Sequence, residues 1–236
     1  VNVKVEMTII HGQGHLGSTY HVTDMLREQL AGRDATVHEF FLPKDGPDFC
    51  AGCFTCITKD ENLCPHADKT RRIVESMMGS DIIIIDSPTY CMEMTGQLKV
   101  LFDHLGYMWM THRPRKEMFA KTGIAVSTTA GAGAGKVTKS IARQMFWWGI
   151  PKVHRLAFSV QAMGWNGVKD PVREKIARKI ESISRKMKAG KYRPRISQKF
   201  IFHMFRKINQ QPNHWNPADK EYWERNGWLG EARPWK

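Results

Sequence analysis

The 236-residue chain has no uninterrupted apolar stretch of about 18 or more residues, which leaves no candidate for a membrane-spanning helix. It also lacks, near its start, the basic, apolar and small-residue succession of a secretory leader, so a cytoplasmic location is expected. Cysteine is scarce outside one short stretch. Of the five, four crowd between Cys50 and Cys64, a distribution unlike a disulfide framework and typical of metal or redox chemistry in a reducing compartment. Internal repeats and low-complexity tracts are absent, as is any Ser-His-Asp or paired-carboxylate constellation that would carry hydrolysis. Acidic residues are missing from one region in particular: residues 171–207 hold 13 Lys and Arg against two Glu, while residues 1–170 nearly balance at 19 to 17. Most of the net charge of +13 therefore sits in one segment. Such a patch fits a solvated helix face, nucleic acid, an anionic membrane surface or nucleotide phosphates.

What is present alternates between two periodicities. Val3–Ile10 and Ala35–Phe41 predict strands, and Val22, Met25, Leu26 and Leu30 between them recur at helical spacing. Ile73, Val74, Met77 and Met78 predict a helix ending at Gly79. The run Ile82-Ile83-Ile84-Ile85 reads as a central strand buried on both faces. Helix over 96–106, strand over 122–128, helix over 137–148, strand over 154–160 and helix over 172–187 complete five β/α units. Right-handed crossovers turn this order into a parallel sheet covered by helices on both faces, with ligands at its carboxyl edge. Beyond Lys188 the pattern changes. Arg193-Pro194-Arg195 breaks the chain, Phe200, Ile201, Met204 and Phe205 form a short apolar stripe, and four tryptophans punctuate a polar tail. The expected division is residues 1–190 as the domain and 191–236 as an extension that packs on it or on a neighbouring subunit.

Three turns carry the candidate binding chemistry. His11-Gly12-Gln13-Gly14-His15-Leu16-Gly17 follows the first strand and opens a helix with Ser18 and Thr19. Glycine lets backbone N–H groups approach a phosphate, the helix N-terminus adds partial positive charge, and the hydroxyls add donors. Glu39 stands where a dinucleotide fold would place its ribose acid, so Gly12, Gly14, His15, Gly17, Ser18 and Thr19 indicate a phosphate without choosing the nucleotide. A tight turn is the plainer alternative. The cluster from Ala130 to Lys136 resembles a P-loop but has Ala130 and Val137 where glycine and Ser or Thr are required. It remains a small-residue loop that, with Thr128, Thr129, Ala130 and Gly131, can lie flat against a planar ligand.

The third turn, Ser87-Pro88-Thr89-Tyr90-Cys91-Met92 with Gly96-Gln97-Leu98-Lys99 beyond it, resembles the segment with which flavodoxin-like NAD(P)H-dependent FMN reductases border the isoalloxazine of their flavin. Phe102-Asp103-His104 continues the likeness, which spans roughly residues 5–165 and is echoed by Tyr222-Trp223 and Gly227-Trp228-Leu229. The resemblance implies a flavodoxin-like three-layer α/β sandwich with strand order 2-1-3-4-5. It implies FMN held across 11–19, 87–93 and 127–135, with Pro88, Thr89, Tyr90, Cys91 and Met92 at the ring. NAD(P)H would be the donor, a small molecule the acceptor, and a homodimer or higher homo-oligomer the default assembly. Catalytic side chains are not required, because the flavin carries the chemistry. The phosphate loop departs from its relatives: Gly12 stands for a serine, Gly14 for an arginine and Ser18 for an asparagine.

Cys50-x-x-Cys53-x-x-Cys56 followed by Cys64 is spaced like the [4Fe-4S] ligands of iron–sulfur flavoproteins in the same superfamily. The reductase branch carries a similar motif without a cluster, and a zinc site or plain loop packing are further alternatives. Cys91 is expected to be a small buried contact. Three functions thus compete: an FMN reductase, an iron–sulfur flavoprotein electron carrier, and an NAD(P)-binding regulator that uses the basic segment on nucleic acid. The last leaves the 87–99 segment without a purpose.

Overall fold

A computed structural model describes residues 5–31, 35–187 and 192–236. In chain order, β1 (Glu6–His11) leads to α1 (Ser18–Ala31), β2 (Thr36–Phe41) and a short helix α2 (Thr55–Thr58) in the cysteine loop. There follow α3 (Ala67–Gly79), β3 (Ile82–Asp86), α4 (Gly96–His104) and β4 (Thr122–Thr129). The chain ends with α5 (Ala134–Trp147), β5 (Lys152–Ser159), α6 (Asp170–Lys186), α7 (Ile196–Asn209) and α8 (Pro217–Arg225). All five strands are parallel in the order β2-β1-β3-β4-β5. That is the flavodoxin order, and the reversal of strand order between β1 and β3 opens a crevice at their carboxyl ends.

The isoleucine run explains the layering. Successive strand residues point to opposite faces, so Ile83 and Ile85 enter the core under α3, α4 and α5, while Ile82 and Ile84 enter the one under α1 and α6. On the second face the helices contribute Val22, Leu26, Ile176, Ile180 and Ile183, each at helical spacing and buried. A third cluster gives the C-terminal tail its anchor: Phe202, Trp223 and Trp228 are buried against Met110 and Phe119. Full burial of such side chains contributes about 1.5–3 kcal/mol each. Gln198, wholly buried, fixes α7 by donating to the carbonyls of Phe146 and Ile150 at 3.2 and 3.1 Å.

Helix boundaries differ from the sequence expectation by up to three residues, and the short stripe near 200 extends into the 14-residue α7. Val3 and the boundary at residue 190 lie outside the described residues. Among those that are described, no helix is long and apolar enough to cross a membrane.

Candidate FMN cleft and cysteine loop

The crevice is a solvent-open cleft of about 250 Å³, near the lower bound of small-molecule sites. Three turns meet there. His15, Gly17, Ser18 and Thr19 line it from the first, Pro88, Thr89 and Tyr90 from the second, and Thr128, Thr129 and Ala130 from the third. Gly12, Gly14, Cys91, Met92 and Gly131, also singled out in the sequence, do not line it. Gln13, Tyr20, Val160, Ala162 and Met163 do, together with His11 and Asp86 at the strand ends.

Hydrogen bonds hold the turns in register. Thr19 Oγ1 and Thr128 Oγ1 are 2.7 Å apart and buried, joining the first turn to the third. Thr89 N–H donates to Thr128 O at 2.9 Å, and Thr95 Oγ1 donates to Gly12 O at 2.5 Å, tying in the second. Gly12 makes this closeness possible: a Cβ there would stand 2.7 Å from Asp86 O, to which its own N–H donates at 2.9 Å. The first backbone bond of α1 runs from His21 N–H to Gly17 O. The N–H groups of Ser18, Thr19 and Tyr20 therefore have no intrahelical acceptor, and this end of the helix carries partial positive charge.

The second turn closes on itself, with Tyr90 and Glu93 exchanging backbone bonds at 3.0 and 2.9 Å around Cys91 (φ 49°) and Met92 (φ 66°). Two successive positive φ values form a type I′ turn. The expectation that Cys91 is buried is corrected here: at this turn it is exposed. Gly133 (φ 104°) lies against the same turn, and a Cβ there would be 2.8 Å from Thr89 Cγ2 and 3.1 Å from Met92 Sδ.

His11 is the residue that the sequence reading passed over. It ends β1 beside Asp86 of β3 and near Glu39 of β2, with Nδ1 2.7 Å from Asp86 Oδ2 and Nε2 3.3 Å from Glu39 Oε1. Burial alone would push the imidazole down. The hydrogen bonds to the two carboxylates, reinforced by their charge, overcome this and raise its pKa to about 9. It is an imidazolium at neutral pH, donating from both nitrogens, and stacks on Phe41 at 4.4 Å. Its charge offsets that of Asp86, which lines the cleft. Glu39, the would-be ribose ligand, is occupied by His11, and this hydrogen bond lowers its own pKa.

The cysteine loop is built differently. Cys50 and Cys53 are exposed and Cys56 and Cys64 half-buried. Burial pushes the Cys56 thiol up to about 11, with the nearby Cys64, Cys50 and Cys53 adding to the effect. The other three thus lie near Cys56, yet among the described residues no three Cys, His, Asp or Glu side chains converge as a metal site. In this arrangement the loop does not fit a closed cluster. His104 donates from Nε2 to Asp48 O at 2.9 Å; burial lowers its pKa, so it is neutral and its Nδ1 accepts from the Cys64 thiol at 3.6 Å.

Beneath the loop lies a buried charge hub that reaches the tail. Arg113 donates to the carbonyls of Cys56 and Ile57 and pairs with Asp219 of α8 at 3.1 Å. Asp219, fully buried, also contacts His112 Nδ1 at 2.7 Å, and Asn216 donates to Ile57 O at 2.9 Å. None of these links is visible in local sequence.

Residues 5–163 match the family model described as NADPH-dependent FMN reductase. The chain belongs to that family. It is thereby placed among FMN-dependent NAD(P)H oxidoreductases, and the nucleic-acid regulator reading loses its support. An iron–sulfur flavoprotein of Archaeoglobus fulgidus is 25% identical over 220 residues, covering 90% of this chain and 94% of that one. An FMN-dependent NADH:quinone oxidoreductase of Burkholderia pseudomallei is 27% identical over 141 residues, covering 57% of this chain and 65%, just under two thirds, of that one. Among solved structures, an FMN-dependent NADH-azoreductase from Bacillus anthracis in complex with FMN aligns with a TM-score of 0.58 at 10% identity. That alignment covers 77% of this chain and 98% of the other, and supports the fold.

Proposed function

We propose that the cleft holds FMN and that the enzyme passes electrons from NAD(P)H to a small acceptor. The observation that carries this reading is the meeting of three separate turns at one rim, with the donor-rich end of α1 locked to the third turn by the Thr19–Thr128 bond. The N–H groups of Ser18, Thr19 and Tyr20 and the hydroxyl of Ser18 would hold the phosphate. Pro88, Thr89, Tyr90 and the Thr128–Ala130 strip would border the ring. When bound, FMN supplies the hydride-accepting and electron-donating chemistry. The protein's part is to orient the ring, to neutralise Asp86 through His11, and to leave one side of the cleft open for donor and acceptor in turn.

The test is flavin retention. The double variant Ser18→Ala, Thr19→Val removes two hydroxyls and the Thr19–Thr128 bond. It is expected to weaken FMN binding about tenfold to a hundredfold, since each lost hydrogen bond to a charged group costs about 1–3 kcal/mol. Unchanged retention, measured by fluorescence of released flavin, overturns the assignment.

A second reading is favoured by the four crowded thiols and by relatives named iron–sulfur flavoproteins: the loop at Cys50, Cys53, Cys56 and Cys64 closes around a cluster and the protein is an electron carrier. Protein purified without oxygen decides between the two. Flavin bands alone support the reductase, and a broad visible shoulder with acid-labile sulfide supports the carrier. For assembly, we assign Leu16, Tyr90 and Met92 at the cleft rim, all exposed, to contact with a second copy in a homodimer.

A further inference from the structure

Helix α7 has two apolar faces, and the fold uses one. Phe202 is buried in the third cluster, with Ile201 and Phe205 packed beside it. On the other side Ile196, Phe200, Met204 and Ile208, spaced every four residues, are 87%, 70%, 40% and 39% exposed. Such spacing draws one line along the helix about 18 Å long. An isolated exposed leucine or phenylalanine needs no explanation, whereas an aligned row of four does.

The charges around this row identify what it faces. Arg193 and Arg195 lead into the helix, Lys199 borders the row, and Lys207 lies within its last turn. No Asp or Glu occurs anywhere between Glu181 and Asp219. A second protein surface would have to offer an apolar strip flanked only by acids. Nucleic acid would engage the cations but leave the apolar row in contact with phosphate and water. An anionic bilayer surface satisfies both features at once, because its headgroups attract the cations while its acyl boundary takes the apolar side chains.

The position of the helix is compatible with function at the cleft. The N-terminal end of α5 lies beside the cleft at Gly133, and about 21 Å on its other end meets α7 through Phe146 and Ile150. The exposed row thus lies at the end of the sheet opposite the cleft, which would stay open to water-borne nucleotide.

We propose that the exposed face of α7 is a docking surface for anionic membrane lipid. The experiment uses the full chain, sedimented with vesicles of phosphatidylcholine alone or mixed with phosphatidylglycerol, at low and high salt. The expected result is binding to the mixed vesicles only, weakening as salt screens the attraction. Lys199→Gln with Lys207→Gln should weaken it about fivefold per charge removed. Ile196→Ser with Phe200→Ser should weaken it by about tenfold or more. These side chains are exposed, and unchanged near-ultraviolet circular dichroism confirms that the variants fold.

Four outcomes overturn the inference: no sedimentation with anionic vesicles, equal binding to neutral ones, binding that both double variants retain, or a dimer that Ile196→Ser with Phe200→Ser dissociates while vesicles never bind. None depends on bound flavin, so the inference can fail while the reductase reading stands.

Discussion

The cleft and the cysteine loop are neighbours in sequence order but opposites in construction. The cleft is made at strand ends, where the sheet register itself places His11 opposite Asp86 and Phe41, and short hydrogen bonds link its three turns. The cysteine loop is not a strand end, and of its thiol-bearing part Cys56 and Ile57 pack against the core. Its four thiols are exposed or half-buried, Gly52 and Phe54 take positive φ, and its backbone is held by Arg113, whose partner Asp219 lies 106 residues further along the chain. The lesson is that one site is specified by the α/β body and the other is delegated to the tail. The tryptophan-rich extension is thus the support of the loop as well as a cover for the core.

The strongest attempt to break that distinction is Asp219→Ala. Removing Asp219 takes away one of the two carboxylates on the buried Arg113, which keeps Glu61 at 3.3 Å. The cost is therefore about 2–3 kcal/mol, below that of a fully orphaned buried charge, and for a chain of this size lowers the thermal midpoint by roughly five to ten degrees. Below that midpoint the variant should react faster with a thiol reagent at Cys56 and retain flavin like the parent. If flavin is lost in step with thiol exposure, the two regions are one cooperative unit and the contrast fails.

The cleft has its own buried charge, and pH probes it without a mutation. His11 has a folded pKa of about 9, above the value of about 6.5 expected when unfolded. The folded state therefore binds more protons between these values. The stabilisation is complete below about pH 6.5 and is lost as pH rises towards 9, a change on the order of 3 kcal/mol. Denaturant titration across this window should show the fall in the parent and a flatter profile in His11→Asn. A parent profile without that fall would remove the imidazolium from the account of the cleft.

Sequence alone carried the body, because periodicity and punctuation are local: a continuous isoleucine run bounded by Asp81 and Asp86 reads as a doubly buried strand, and glycine with Ser and Thr after a strand marks the turn into a helix. It misled where a residue's role is set by distant partners. Gly12 matched a phosphate fingerprint, and the fingerprint gave no hint that its lack of a side chain is also required by Asp86 of another strand. His11 looked like one histidine among ten, because Glu39 and Asp86 reach it only through the sheet. A usable signal did exist, since an acid ending an all-isoleucine strand must find a partner. Nothing comparable marks Arg113 and Asp219.

Gly133→Ala sharpens the comparison at smaller cost. The positive φ and the contact with Thr89 make any side chain there strained, by about 1–2 kcal/mol, and the strain falls on the turn proposed to border the ring. A shifted flavin spectrum with unaltered Cys56 reactivity is the expected result. Cys91→Ser should do least. The thiol is exposed and does not line the cleft, so stability should change by no more than about 0.5 kcal/mol and flavin retention not at all. Should this variant release flavin, Cys91 faces the ligand after all, and the second turn must rearrange when the cleft is filled.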